Sequence, residues 1–455
     1  QSIAMSDEVD AVLAAVRSRV VPDDAEREAL QAALAEVVDR AETAVADLPV
    51  DADVLHVGST ARGTWLAGDR DLDVFVRFPT DCSRDELEEY GLDVGHAVLP
   101  DGHEEYAEHP YVVGEVDGFQ VDLVPCYAVD AAPEVRSAVD RTPFHNDYLQ
   151  ARLDADLADD VRVAKQFLTG IGVYGSDLRT RGFSGFLVEL LVLTYGGVRP
   201  FLEAAADWHP PETFDPEDHG TTAFDDPLVV IDPTDPDRNV AAVCSAENVA
   251  RLQHYARGFL ADPDDALFEP RAPDPLSADE VRAAVAERGT TPVAVRFDAP
   301  DLVDDQLYPQ LAKSLDGLTA ELDRRGFDVL RAEAFADESA VLLAELAVAE
   351  RPRVERHEGP PVHVREHAEN FYEAYADDEA VAGPFVAGDR YVVEREREFA
   401  TAADFLASDA LFDVALGAHV ETAVRRNYEL LVGEDVAALA EEFGDDLSGY
   451  FDPVP

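Results

Sequence analysis

The stretch HVGSTARGTWLAGDRDLDVFVRF, residues 56–78, carries two carboxylates, Asp71 and Asp73, at the head of an apolar run. In a strand alternate side chains share a face, so Asp71, Asp73 and Phe75 point one way and Leu72, Val74 and Val76 the other. Two carboxylates on one face repel each other, and burial raises their pKa values unless a cation neutralises them. A divalent ion supplies that charge. Oxygen donors suit Mg²⁺, which takes one or two carboxylates together with substrate phosphate oxygens. FQVDLVP, residues 119–125, places Gln120, Asp122 and Val124 on one face of a second apolar strand. With the two strands side by side, three acids converge. Such a set can hold two Mg²⁺ ions, which stabilise the attacking and leaving oxygens of an in-line phosphoryl displacement.

Upstream, VGSTARGTW ends a strand at Val57, turns at Gly58-Ser59 and starts a short helix near Thr60. Glycine lets a phosphate approach the backbone, Ser59 offers a hydroxyl, and a helix start offers free amides. Arg62, one turn on, can fork two phosphate oxygens. Alone, a Gly-Ser turn is usually just a helix cap, and an Asp-x-Asp pair is usually a solvated edge. The combination of Gly-Ser, a fixed gap, Asp-x-Asp on an apolar strand and a distant third Asp is far more specific.

These groups need elements to hold them. Residues 6–20 and 24–47 have helical periodicity, with Leu30, Leu34, Val37 and Val38 as an apolar stripe in the second. DVLHV (53–57) and DLDVFVRF (71–78) read as strands. YVVGEVDGFQVDLVPCY (111–127) reads as two strands joined by a turn at Asp117-Gly118. The first 140 or so residues are therefore expected to form a helix-flanked, largely antiparallel sheet. From about 155 to 200 the period becomes helical, and GFSGFLVELLVLTYGG, apolar nearly all round, predicts a buried helix. Residues 208–238 read as loop plus a short strand LVVID, followed by a helix in AENVARLQHYARGFLAD. Pro-rich EPRAPDPLSADE (269–280) is the best linker in the chain, and beyond it strands and a helix alternate as an α+β domain. No fixed-period repeat is visible.

The 455 residues are too many for one core, and 47% hydrophobic content is enough to fill several. A formal net charge of −60, from 96 acids against 36 bases, therefore belongs to an acidic surface and not to a disordered chain. Only two bases are lysine, Lys165 and Lys313; the other 34 are arginine. High acid with almost no lysine resembles the proteins of salt-accumulating halophilic archaea. If surface selection removes lysine, the survivors are candidates for function. Lys165 then reads as a point-charge phosphate ligand that the planar arginine fork replaces poorly, and Lys313 as a candidate RNA-backbone contact. Cys82, Cys126 and Cys244 form no pair or zinc pattern, so a reduced cytosol is expected. No apolar run is long enough to span a membrane, and no export signal is expected. The four residues before Met5 are set aside.

The spacing G-S, about twelve residues, [DE]-x-D and a later D resembles the signature of the nucleotidyltransferase superfamily typified by DNA polymerase β. VGSTARGTWLAGDRDLDVFVRFP, YAEHPYV, VDLVPCY, SAVDRTPFH, IGVYG, RGFSGFLVELL, DPTDPDRNVAA and DLVDDQLYPQL resemble the blocks of the archaeal, class I, CCA-adding tRNA nucleotidyltransferases, from about residue 10 through at least 312. That resemblance implies a polymerase β-like catalytic sheet flanked by helices, a helical central domain and an α+β C-terminal domain. The implied divisions are a catalytic head at 1–145, a mainly helical neck at 146–268 and a tRNA-binding body and tail at 269–455. It implies addition of CCA to tRNA 3′ ends from CTP and then ATP without a template, with two Mg²⁺ ions, in the cytoplasm; a homodimer is compatible with it. Residue by residue, Asp71, Asp73 and Asp122 match the metal-binding carboxylates, and Ser59 and Arg62 the triphosphate contacts. His145 in TPFH, Lys165 in RVAKQFL and Tyr174 in GVYG match nucleotide-binding positions, and Arg238 in DRNVAA an arginine near the incoming base. Position 71 is often Glu in that family and position 60 often Tyr; here they are Asp and Thr. Other members of the superfamily, poly(A)-type or acting on small molecules, share the signature but not the later blocks.

Overall fold

A computed structural model describes residues 2–271 and 273–455, and its contacts divide the chain into two compact units meeting at residues 271 and 272. The division falls inside the Pro-rich segment, where proline removes backbone donors and few residues can pack.

The first unit begins with helices α1 (Ser2–Val20) and α2 (Asp24–Ala46). Asp23 caps α2 and forms a reciprocal capping box with Glu26. The buried stripe of α2 runs Leu30, Ala33, Val37, Ala41, Val45, so alanines carry part of the expected face. Next come β1 (Asp53–Val57), the one-turn helix α3 (Gly58–Arg62), β2 (Asp71–Phe78) and α4 (Arg84–Val98). Then follow β3 (His103–Tyr106), β4 (Pro110–Val116) and β5 (Phe119–Tyr127). The five strands form one sheet in the order β1-β2-β5-β4-β3. The β4–β5 turn is at Asp117-Gly118, both with positive φ (51° and 79°), a conformation that favours Asp and Gly there. The sheet is largely antiparallel, as expected, with one exception at its centre, where β2 and β5 run parallel. The α4–β3–β4 excursion, 84–116, lets the chain re-enter beside β2 in the same direction. On one face Leu72, Val74, Val76, Val121 and Leu123 are buried against α2 and α4. The other face holds a small patch of Val57, Phe75, Val124 and Cys126.

The helices that follow are α5 (Thr142–Gln150), α6 (Ala155–Gly170), α7 (Gly185–Tyr195) and α8 (Val198–Ala206). The segment read as loop with one strand holds three: β6 (Glu212–Phe214), β7 (Leu228–Asp232) and β8 (Asp235–Asn239). Helix α9 (Ala246–Ala261) closes the unit. The core is built on α6 and α7, with α1 and α9 packed against α6 and α8 respectively. Among the described residues no single helix is long and apolar enough to cross a membrane; the apolar pair α7 and α8 bends by 93° between them and lies in this core.

The second unit contains α10 (Ala278–Arg288), β9 (Thr291–Asp298), α11 (Asp304–Arg324), β10 (Val329–Ala336) and β11 (Ser339–Leu346). After them come β12 (Val354–Pro361), α12 (Arg365–Tyr375), β13 (Ala382–Ala387) and β14 (Arg390–Glu396). The last elements are α13 (Ala402–Leu406), α14 (Ala418–Arg426), β15 (Glu429–Val432) and α15 (Ala440–Phe451). One sheet runs β10-β11-β9-β15 and a smaller one β12-β14-β13. The architecture is thus a mixed α/β catalytic sheet, a helical middle and an α+β C-terminal region.

Phe167 of α6 is fully buried, its ring centroid 5.8 Å from Phe259 and 5.2 Å from Phe268. Phe167→Ala removes the centre of this aromatic cluster and should cost about 3–5 kcal/mol of stability, read as a lowered denaturant midpoint in high-salt buffer.

Candidate active site

The parallel register sets Asp73 directly beside Asp122 and Asp71 beside Gln120. Alternation then brings Asp71, Asp73 and Asp122 to one face of adjacent central strands. Burial, followed by the charge of Asp122, pushes the Asp73 carboxyl from the ordinary 3.8 up to about 6; Arg62 opposes the shift. Burial also raises Asp122, whose Oδ1 accepts a hydrogen bond from Gln120 Nε2 at 3.3 Å, and Glu105 and Asp71 add to the rise. Among the described residues no three acid, histidine or cysteine side chains close tightly enough to make a ready metal cage. The donor set nevertheless fits Mg²⁺. It offers only hard oxygens, on rigid strands, and the raised Asp73 value marks negative charge that a cation would relieve.

The Gly-Ser turn lies against these acids. Gly58 has φ +81°, and a Cβ there would fall 1.9 Å from Asp73 Oδ2, so only glycine lets the turn sit on that carboxylate. Helix α3 is five residues long, so the turn's geometry matters more than any helix dipole. Behind it, α6 grips the loop. Arg162 Nε donates to Trp65 O at 2.7 Å and its Nη2 to Gly63 O, while Lys165 Nζ donates to Thr64 O at 3.0 Å. Lys165 is therefore a buried staple for the loop, and burial lowers its pKa. Arg62 does not present its whole fork as expected. Its Nε donates to Glu189 Oε1 at 3.0 Å and its Nη2 lies 2.9 Å from Oε2, so two of its three nitrogens face Glu189. Ser59 is partly exposed beside it, and its carbonyl accepts from Thr64 N at 2.9 Å. Tyr174 approaches from the far side: a Cβ on Gly185 would meet Tyr174 Oη at 3.1 Å and Lys165 Nζ at 3.8 Å. Burial raises the Tyr174 hydroxyl pKa, so it stays protonated and can donate.

A second cluster joins His145 and Arg238. His145 stacks on Phe186 with ring centroids 4.0 Å apart and shares a 2.8 Å hydrogen bond with Asp232 Oδ2. Arg238 Nη1 donates to the same oxygen at 2.7 Å. Thr234 supplies its amide and hydroxyl to Oδ1. Burial pushes the Asp232 carboxyl up, but the His145 hydrogen bond and charge and the Thr234 donors overcome it and hold the group well below the usual range. The sequence-predicted residues thus fall into three groups: the carboxylates, the loop with Arg62, Lys165 and Tyr174, and the pair on Asp232. Sequence reasoning missed Glu189, Asp232, Arg162 and Phe186. A lone Glu inside the apolar GFLVELLVLTY was the available signal, since an unpaired buried carboxylate is prohibitive.

For Asp73 the folded state holds the proton more tightly than the unfolded chain. Ionised Asp73 therefore opposes folding above about pH 6, and that penalty is gone below 3.8. Asp73→Asn should stabilise the metal-free protein at pH 7.5 by on the order of 3 kcal/mol, with most of the gain gone near pH 4. Paired denaturation curves in EDTA at the two pH values measure it.

Three family models match in chain order. They are a nucleotidyltransferase domain over residues 38–145, the second domain of tRNA nucleotidyltransferase over 159–269, and the C-terminal domain of the CCA-adding enzyme over 288–433. The chain is 65% identical to a CCA-adding enzyme of Haloarcula marismortui, covering 99% of this chain and 100% of that one. It is 62% identical to one of Halorubrum lacusprofundi, with the same coverage, and 40% identical to one of Methanosarcina barkeri over 94% and 95%. The first two sources agree with the halophilic archaeal origin suggested by the acidic, lysine-poor composition. With this identity sustained across nearly the whole length, and with the signature carboxylates on neighbouring strands, the chain belongs to the archaeal CCA-adding enzymes of the polymerase β-like nucleotidyltransferase superfamily.

Proposed function

We propose that this protein builds and repairs the 3′-terminal CCA of tRNA in the cytoplasm, adding CMP twice and AMP once without a template. The observation that carries this reading is the side-by-side register of Asp73 and Asp122 on parallel strands, in a chain that matches CCA-adding enzymes from end to end. In the reaction the tRNA 3′-OH attacks the α-phosphate of the nucleotide, the bond to the β-phosphate breaks, and pyrophosphate leaves. Asp71, Asp73 and Asp122 would hold two Mg²⁺ ions, which when bound stabilise charge on the attacking and leaving oxygens. Asp73 must be deprotonated to do so. Ser59 and Arg62 would bind the triphosphate, with Lys165 and Tyr174 behind the loop that orients them. His145 and Arg238, tied to one carboxylate, would contact the base and ribose end. We assign the catalytic step to residues 1–145, nucleotide binding jointly to these and 146–268, and tRNA binding to 269–455.

The decisive assay offers tRNA lacking its terminus with CTP and ATP in concentrated KCl. The product should grow by CCA and then stop. Asp73→Ala should abolish both CMP and AMP incorporation; substantial residual CMP addition would remove this site from the reaction. Activity should also require high salt. At molar ionic strength the Debye length is about 3 Å, which screens the acidic surface from tRNA phosphates, whereas dilute buffer leaves the two repelling. Full activity in dilute buffer would contradict that dependence.

A further inference from the structure

The fully buried Glu189 of α7 is the one acid in an otherwise apolar helix. It meets three polar partners. Arg62 engages both carboxylate oxygens through Nε and Nη2, the Thr64 hydroxyl donates to Oε1, and Lys165 Nζ stands 4.0 Å from the same oxygen. The Arg62 side chain is only 9% exposed, so this is a buried ion pair, which needs near-ideal geometry to repay desolvation. Arg62 is also close enough to Asp73 to lower its pKa. The guanidinium therefore stands between the metal-binding edge of the sheet and a carboxylate belonging to the helices. With Nε and Nη2 held by Glu189, the direction in which Nη1 can point is fixed.

We propose that Glu189 is a positioning residue for nucleotide binding: it touches no substrate, but it aims Arg62 at the triphosphate and pairs with Lys165 beneath the Ser59–Thr64 loop. This rests on the reading of Arg62 as a triphosphate contact. Around Lys165 the groups that set its charge are Glu189 on α7, Arg62 on α3, Asp69 in the loop before β2 and Arg162 on α6 itself. Of these, Glu189 is the nearest anion. Burial lowers the Lys165 pKa and Glu189 opposes that, so neutralising Glu189 lowers it further.

The test is steady-state addition to truncated tRNA by Glu189→Gln, which keeps the shape and removes the charge. The KM for CTP and for ATP should rise alike, by about ten- to a hundredfold, the range for losing one charged hydrogen bond. The kcat should change far less, the KM for tRNA should hold, and the alkaline limb of kcat/KM should move to lower pH. Glu189→Asp, which keeps the charge one methylene back, should restore the alkaline limb while leaving KM partly raised; it also serves if Glu189→Gln fails to fold. A loss of kcat with unchanged nucleotide KM and an unmoved alkaline limb would make Glu189 a packing residue and overturn the proposal. Arg62→Ala separates the two levels. If it raises nucleotide KM while both Glu189 variants leave KM unchanged, only the positioning role fails; if Arg62→Ala leaves KM unchanged, the triphosphate reading fails with it.

Discussion

The first unit is organised around charge that must be buried and balanced in series. Asp71, Asp73 and Asp122 crowd one face because β2 and β5 run parallel and in register. Left alone, those carboxylates would oppose folding. Arg62 stands next to them, Glu189 next to Arg62, and Lys165 next to Glu189. Each sign answers the one before it, and the sequence runs from the sheet into the helices. Removing one member leaves its neighbour charged and unpaired in a medium of low dielectric, where that is far more costly than in water. The sheet and the helices α6 and α7 are therefore joined by an electrostatic chain as well as by apolar packing, and the loop carrying Ser59 lies on that joint.

The same alternation recurs with different members at Asp232, which takes His145 and Arg238 on one oxygen and Thr234 on the other. In both places a fully buried carboxylate from the middle of the unit holds a basic side chain, nearly buried at Arg62 and part-exposed at Arg238. A protein with 96 acids has no shortage of surface carboxylates, but surface pairs contribute little at high ionic strength. Buried ones are screened far less. The lasting electrostatic organisation of a halophilic enzyme thus lies where salt does not reach, and the acidic exterior is left to serve solubility.

Much of this was legible from period and spacing. The alternation in DLDVFVRF placed Asp71 and Asp73 on one face, and the Asp-Gly turn defined the hairpin that carries Asp122. What alternation cannot give is strand neighbourhood. The parallel pairing of β2 with β5 depends on the excursion through α4, β3 and β4, whose contacts are distant in sequence. Strand β8, DPDRN, has no apolar pattern at all; it pairs because a turn after Asp232 folds it back on buried β7, so Arg238 could be named by resemblance but not placed. Glu189 was legible only as an anomaly: a carboxylate inside a helix apolar all round signals a partner, but the helix alone does not say which element supplies it. Residues whose partners are local were readable; those whose partners are a hundred residues away were not.

The two lysines illustrate how burial bears on an argument from composition. Scarcity made Lys165 look like a survivor of selection against surface lysine. Lys165, however, is buried and donates to the Thr64 carbonyl, so such selection never bore on it. Its retention has a different cause. The slot beside Thr64 and Glu189 accepts a compact ammonium with three donors, whereas a guanidinium would bring five donors in a plane, more than the Thr64 oxygens and Glu189 present. The survival argument applies instead to Lys313, which is exposed on α11 and stands where every other basic residue of the second unit is arginine. Burial thus bears differently on the two lysines: the pocket of Lys165 itself favours a compact ammonium, whatever that residue does toward a nucleotide, whereas exposed Lys313 is the one that scarcity alone leaves to be explained.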